Sequence, residues 1–173
     1  MFRVSLANAF AKRSLRPLHE KHQATPVNVL LDASNAVVVA NALYSGMPAE
    51  LTSDGQVIPY TTKTNPCWGL FALDKNDSIN DTDGQPTDLG TDSGGTPFAV
   101  WQGGPDAYFR VTDPGNNAVL ANVAWVVGDD VYADSSAHNL DRTDTDSGNP
   151  VIGHVVEVIG TGDIVIQLSA PTA

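Results

Sequence analysis

Residues 151–168, VIGHVVEVIGTGDIVIQL, decide the fold class most clearly. They contain two runs rich in β-branched residues, 151–159 and 164–168, on either side of the tetrapeptide GTGD at 160–163. β-branched side chains favour strands, and a glycine-rich tetrapeptide between two such runs is typical of a hairpin turn. The sequence therefore predicts a β-hairpin in this region.

Similar short runs recur toward the N-terminus, separated by turns rich in Gly, Asp and Pro. They predict strands at residues 27–31, 36–43, 56–60, 68–73, 98–102, 107–112, 118–127 and 131–133. The first two are predicted to pair as a hairpin across residues 32–35. Residues 118–127 are apolar on both faces, which predicts a central, buried strand. Because turn signals recur about every 8–12 residues and no helix is indicated after residue 22, the predicted fold is an all-β barrel or sandwich.

The composition supports one compact β domain, with or without a tail. The chain has 173 residues, and 42% of them are hydrophobic, which is enough for a core and excludes general disorder. The acids are 17 Asp and 3 Glu, and Asp favours turns whereas Glu favours helix interiors. The single cysteine, Cys67, excludes an intrachain disulfide and a multi-cysteine metal site.

The charge divides the chain into two parts. Residues 1–22 carry five Lys or Arg and Glu20, a net charge of +4, whereas residues 23–173 carry 19 acids and four Lys or Arg, a net charge of −15. The sequence therefore predicts a basic N-terminal arm at 1–22, extended or helical, and an acidic β-barrel domain with long acidic loops at 23–173. The field of the acidic domain repels nucleic acid and anionic membranes, so neither is an expected partner.

The arm is the predicted partner-binding segment. Phe2, Leu6 and Phe10 follow each other at intervals of four, which would place them on one stripe of a helix. The cations suit an acidic surface, including one on a neighbouring copy. The predicted partner-binding residues are Phe2, Arg3, Leu6, Phe10, Lys12, Arg13 and Arg16. A disordered end and a targeting peptide are the alternatives for this segment.

Two polar loops, residues 74–96 and 135–149, raise the question of a calcium site. The segment Asp81-Thr82-Asp83-Gly84 looks like the middle of an EF-hand loop, but Ile79 then occupies the first ligand position and cannot coordinate. Solvated loops that maintain solubility are the preferred interpretation, and an irregular calcium site is the alternative.

The candidate catalytic motifs are incomplete. The tetrapeptide DSGG at 92–95 looks like the nucleophile segment of trypsin-like proteases, but the histidines before Ser93 lie in the arm. Those histidines, His19 and His22, are three residues apart, whereas the zinc-protease helix needs a spacing of four. Cys67 is predicted to be a buried, inert thiol, and the three tryptophans are predicted to pack in the core. We therefore predict no catalytic, metal-binding or cofactor-binding residues, and no enzymatic activity.

The order of several segments resembles a known family. The segments are GMP at 46–48, SDG at 53–55, WGLFAL at 68–73, VWQGGPDA at 100–107, GDDVY at 128–132 and PVIGHVV at 150–156. Together with the terminal hairpin, they resemble the small head-decoration, or cement, proteins of tailed bacteriophages over roughly residues 25–170. The resemblance implies a single β-barrel or β-tulip-like domain, without catalysis and without a cofactor.

The resemblance also implies a location and partners. Such proteins bind the outside of the phage head, where major capsid subunits meet, and they stabilise the shell. It implies the major capsid protein as partner, self-association as a homotrimer or a dimer, and a location on the capsid exterior of the virion. A chain that begins at Gln23 is expected to fold but to bind capsids much more weakly. The alternative is a calcium-dependent module that binds carbohydrate or another surface through the two polar loops.

Overall fold

A computed structural model of the chain describes residues 15–17, 26–32, 34–39, 43–72, 96–113, 119–144 and 147–171. These ranges contain eleven strands and one helical turn. In chain order, the elements are β1 (Leu15–Pro17), β2 (Pro26–Leu31), α1 (Ala36–Val39), β3 (Pro48–Leu51), β4 (Gln56–Pro59), β5 (Cys67–Phe71), β6 (Thr96–Trp101), β7 (Tyr108–Thr112), β8 (Asp130–Ala133), β9 (Leu140–Asp141), β10 (Val151–Gly160) and β11 (Asp163–Leu168).

The strands form a closed barrel and a separate open sheet. The barrel has the order β2-β4-β3-β5-β6, and the six-stranded sheet has the order β1-β7-β11-β10-β8-β9. Only β2 and β4 pair in parallel among the described strands. The all-β prediction and the presence of a barrel are confirmed, but the prediction of a single barrel missed the second sheet. The barrel uses residues 26–101, and the sheet uses residues 108–168 together with β1.

The predicted terminal hairpin is confirmed. Gly160 pairs with Asp163, so Thr161 and Gly162 form a two-residue turn. Gly162 has a φ of 66°, a left-handed conformation that glycine adopts without steric cost. β11 lies between β7 and β10, and its apolar side chains are buried on both faces. The hairpin therefore provides the centre of the open sheet.

The predicted hairpin of residues 27–31 and 36–43 is wrong. β2 pairs instead with β6 in antiparallel and with β4 in parallel, and residues 36–39 form the helical turn α1. The carboxamide oxygen of Asn35 accepts a hydrogen bond of 3.0 Å from the Val37 amide. An Asn side chain in this position caps the start of a helix, which explains why the β-branched residues after it do not continue as a strand.

The predicted buried strand at 118–127 is also wrong. Within 119–127, only Leu120 forms a β-bridge, to Leu140. The Asp113 carboxylate accepts hydrogen bonds of 2.7 and 2.9 Å from the amides of Val119 and Leu120. Because a carboxylate takes the donors that a neighbouring strand would otherwise take, this apolar segment lies against the core as an irregular loop.

The connection between β6 and β7 fixes the barrel against the sheet. The Gly104 amide donates to the Leu168 carbonyl at 3.0 Å, and the Leu168 amide donates to the Ala107 carbonyl at 2.8 Å. At Gly103, a Cβ atom would lie 1.8 Å from the Ser169 carbonyl oxygen, so the close approach of the two backbones requires glycine. This connection therefore packs directly on the end of β11.

Aromatic packing continues across the same junction. The rings of Trp101 and Phe109 have centroids 5.6 Å apart at an interplanar angle of 58°. Trp125 belongs to the buried core. Trp68 and Trp101 are partly buried and pack against this core, which confirms the prediction that the tryptophans pack there. Cys67 is buried, and burial raises the pKa of its thiol to about 12, so the thiol stays protonated at neutral pH, as predicted.

A buried carboxylate holds the loop between β4 and β5. Glu50, only 3% exposed, accepts hydrogen bonds from the amides of Thr61 and Thr62 at 3.0 and 2.9 Å. The Asn65 carboxamide donates to its other oxygen. Burial raises the pKa of Glu50, but these donors outweigh that effect and the net pKa is lowered. The ionised carboxylate therefore stabilises this part of the fold.

We expect Glu50→Gln to destabilise the protein by about 1.5–3 kcal/mol at pH 7, because hydrogen bonds to a charged acceptor are lost. In the wild type, the contribution of Glu50 is present above its ordinary pKa of 4.5 and is lost as the pH falls through the lower folded value. Urea denaturation from pH 7 to pH 3 measures both effects. Glu157→Gln, at an exposed glutamate, is the control. Equal stability of the two variants at pH 7 would contradict the role of Glu50.

Candidate interaction surface

The predicted partner-binding residues lie mostly outside the described part of the chain. Phe2, Arg3, Leu6, Phe10, Lys12 and Arg13 fall outside it, as do His19, His22, Asp81, Asp83 and Ser93. Arg16 lies in β1, where its backbone pairs with Arg110 of β7. The segment around Arg16 is thus an edge strand of the open sheet, and sequence reasoning assigned it only to the arm.

β1 has a defined direction along the sheet edge. It runs antiparallel to β7, with Leu15 opposite Val111 and Pro17 opposite Phe109. β1 therefore enters the sheet from the end of β7 at which Asp113 follows. The Asp113 amide donates to the Gly162 carbonyl at 2.6 Å. The start of β1 and the turn of the β10–β11 hairpin consequently lie at the same end of the strands of the open sheet.

Apolar side chains are exposed near that turn. Val126 and Val127 are 55% and 61% exposed, and Val158 and Ile159, at the end of β10, are 38% and 47% exposed. The amide of Gly128, directly after Val127, donates to the Val155 carbonyl at 2.8 Å. This hydrogen bond joins the segment of Val126 and Val127 to β10, the strand that carries Val158 and Ile159. The sequence predicted a buried strand here and therefore missed this exposed surface. Exposed apolar side chains on neighbouring segments make this region a candidate interaction surface.

A groove lies beside these exposed residues. Its lining residues are Asn122, Val123, Ala124 and Trp125 on one side, and Val158, Gly160, Thr161 and Gly162 on the other. Trp125 is 7% exposed, and its indole Nε1–H has no acceptor among the described residues. A buried donor without an acceptor costs about 1–3 kcal/mol, so a native structure rarely leaves one unexplained. We call this feature the Trp125 groove.

Arg142 holds one wall of the Trp125 groove in place. Its guanidinium donates to the Ala124 carbonyl and lies 3.4 Å from an Asp129 carboxylate oxygen. That carboxylate oxygen in turn accepts a hydrogen bond of 2.7 Å from the Val126 amide. The irregular loop is therefore fixed by side-chain bonds rather than by a strand ladder.

A second arginine supports the other wall. Arg110 of β7 donates from Nε and Nη2 to the two carboxylate oxygens of Asp163, at 2.8 and 2.5 Å. The hydrogen bond to Asp163 raises the pKa of Arg110, so the guanidinium stays charged at neutral pH. Asp163 begins β11 directly after the hairpin turn, and the bidentate pair therefore fixes the turn against β7.

Acids within the second polar loop, residues 135–149, and directly before it form turns. Asp134 accepts from the amides of Ser136 and Ala137 at 2.7 and 2.9 Å. Asp144 accepts from the Gly148 amide at 2.6 Å, and this hydrogen bond lowers the pKa of its carboxyl group. Local hydrogen bonds of this kind are a common role of Asp in loops. Within the described ranges, no three acidic, His or Cys side chains are grouped so that they could hold a metal ion.

The loop also contacts the barrel. His138 has a φ of 57°, and its Nδ1 lies 2.9 Å from the carbonyl oxygen of the buried Tyr60, within hydrogen-bond distance. The contact joins the loop after β8 to the barrel, on a path independent of the β6–β7 connection.

None of the helices in the described residues is long and apolar enough to cross a membrane.

We expect Arg142→Met to loosen the wall of the Trp125 groove, because Asp129 loses the partner that orients it toward the Val126 amide. Loss of about 1 kcal/mol of local stability should speed hydrogen exchange of that amide about fivefold. Exchange measured by NMR tests this. Arg110→Met, which breaks the ion pair on the opposite wall, should leave Val126 exchange unchanged. Equal acceleration in both variants would contradict the role of Arg142.

One of the comparisons with known proteins identifies a family. No curated protein matches the chain. A family model described as phage cement protein matches residues 1–173, which is the whole sequence. The resemblance to the phage cement proteins is confirmed by this match. The chain therefore belongs to the phage cement proteins, a structural family located on the exterior of the virion capsid.

Proposed function

We propose that the protein binds the phage head at contacts between major capsid subunits and stabilises the shell. The observation that carries the proposal is the family match over the whole sequence. A shell is a symmetric lattice, so each surface that binds one copy recurs many times. Many modest contacts then act together and strengthen the shell. The direct partner in this proposal is the major capsid protein.

The way in which the barrel and the sheet are joined supports this role. A protein that resists the separation of two subunits has to transmit force between its own contact surfaces. Here the β6–β7 connection, the Trp101–Phe109 contact and the His138–Tyr60 contact each join the sheet or its loops to the barrel. Capsid subunits bound to the two parts would therefore be held at a fixed spacing.

We also propose that the protein assembles as a homotrimer on the capsid. Homotrimers match the local threefold axes of a capsid lattice, and a dimer is the alternative. Sedimentation equilibrium of the purified protein distinguishes a trimer, a dimer and a monomer that assembles only on the shell.

The basic arm at residues 1–22 is the proposed contact with the capsid or with a neighbouring copy. The contacting residues in this proposal are Phe2, Arg3, Leu6, Phe10, Lys12, Arg13 and Arg16. The position of β1 supports the proposal, because an arm that begins from a sheet edge is anchored to the folded body. Its apolar side chains would be buried on the partner while its cations pair with surface carboxylates.

Two truncated chains test the role of the arm. A chain that begins at Ser14 keeps β1, whereas a chain that begins at Gln23 lacks β1 as well. We expect the first to bind capsids that lack the protein at least about tenfold more weakly than the full chain, because burial of even one large apolar side chain contributes that much. A sedimentation assay with purified capsids measures the affinity, and circular dichroism verifies folding.

A comparison of the two truncated chains distinguishes the contribution of residues 1–13 from that of β1. If both truncated chains bind equally weakly, residues 1–13 make the contact and β1 only anchors them. Binding of the Ser14 chain at full affinity would refute the arm as the contact. It would leave the capsid location of the protein unaffected, since other surfaces would then carry the binding.

A further inference from the structure

One edge of the open sheet is closed by a short strand that is itself unsuited to further pairing. We propose that β1 caps a strand-binding site along β7, and that a second copy of the chain pairs with this site through its own β7 when β1 is detached. The inference goes beyond the capsid role, because it concerns self-association of the free protein.

The two edges of the open sheet differ in length. At one edge, β9 has two residues, and Leu120 also forms a bridge to Leu140 there. At the other edge, β7 has five residues, and β1 pairs with the middle three of them. An uncovered edge strand presents a row of amides and carbonyls that favours pairing with another chain. The β7 edge is therefore the place at which self-association through this sheet has to be prevented.

The hydrogen bonds to β11 determine which backbone groups of β7 face β1. The Leu168 amide donates to the Ala107 carbonyl at 2.8 Å, and the Asp113 amide donates to the Gly162 carbonyl at 2.6 Å. Since hydrogen-bonded pairs alternate along an antiparallel ladder, the odd-numbered residues of β7 bond to β11. The even-numbered residues, with Arg110 at the centre, therefore direct their amides and carbonyls to the edge that β1 covers.

Within the described part of the chain, β1 is held to this edge by one hydrogen-bonded pair. Arg16 lies opposite Arg110 and forms that pair. Leu15 and Pro17 lie opposite residues that bond to β11, so their own backbone groups point away from β7. A proline has no amide hydrogen to donate, which is why prolines in sheets occur at edges. β1 thus covers the β7 edge without offering a complete new edge to a further strand.

The partner that fits the uncovered site is a second copy. Two β7 edges can pair in antiparallel about a twofold axis, because each supplies the donors and acceptors that the other needs. In the capped form an arginine already lies opposite Arg110, so the site accepts an arginine at this position. Asp163 of the same sheet binds the Arg110 side chain and offsets its charge. A twofold pairing would compete with the proposed homotrimer, and this last consequence alone rests on the proposed function.

Proline substitutions in the full-length chain test the proposal. Arg16→Pro removes the amide that bonds to Arg110 and should detach β1. Leu15→Pro is the matched control, since the Leu15 amide points away from β7. Hydrogen exchange, resolved to single amides by mass spectrometry, reports on the edge through the Arg110 amide. The Val111 amide, which bonds to β11, reports whether the sheet is still folded, and sedimentation equilibrium measures the mass.

We expect Arg16→Pro to speed exchange of the Arg110 amide at least about tenfold in dilute solution, without a change at Val111, because only the covered edge is opened. As the protein concentration rises, the mass should become twice that of the wild-type species, and exchange of the Arg110 amide should slow again. Leu15→Pro should resemble the wild type in both measurements.

Two results would overturn the proposal. Equal protection of the Arg110 amide in both variants would contradict the capping role of β1. A fast-exchanging Arg110 amide in a protein whose mass stays that of the wild type at every concentration would show that the uncovered edge does not bind a second copy. Capsids are absent from this assay, so its outcome is independent of the capsid-binding experiment.

Discussion

The close approach of the Gly103 backbone to Ser169 is the constraint on which the rest of the structure depends. Because no side chain fits between the two segments, the β6–β7 connection lies directly on the end of β11. Two backbone hydrogen bonds join Leu168 to Gly104 and Ala107, which follow Gly103, and they fix the connection in this position. The barrel, whose strands precede this point in the chain, is thereby positioned against the sheet, whose strands apart from β1 follow it.

The Trp125 groove of the open sheet depends on the β10–β11 hairpin. The hairpin turn forms one wall of the Trp125 groove, and the Arg110–Asp163 pair holds that turn against β7. The opposite wall is an irregular loop that Arg142 and Asp129 maintain. Both walls thus depend on charged side chains that orient the backbone, whereas the core beneath them is apolar.

The sequence predicted the strands wherever pattern and turn chemistry agreed. The terminal hairpin, β4, β5, β7 and β8 were recognised because β-branched or aromatic runs end at glycine or aspartate turns. Prediction failed at residues 36–43 and 118–127, which are equally apolar, because Asn35 and Asp113 accept backbone hydrogen bonds and prevent strand pairing. Whether a polar residue faces solvent or binds the backbone is set by tertiary contacts that the pattern does not contain.

The interaction surface was harder to predict than the fold for the same reason. Val126 and Val127 are apolar in sequence and exposed in structure, so hydrophobicity predicted burial. The groove exists only because residues 122–125 and 158–162 are brought together across the sheet. The family could nevertheless be recognised from the sequence, because short motifs such as VWQGGPDA at 100–107 and GDDVY at 128–132 carried the resemblance.

We propose that the protein covers the phage head as a structural component. Quantitative mass spectrometry of purified particles tests it most directly, by comparing the copy number of this chain with that of the major capsid protein. We expect a ratio of about one to one, as for a component that follows the symmetry of the shell. A few copies per particle would assign the protein to the tail or the portal vertex, and its absence from particles would contradict the account.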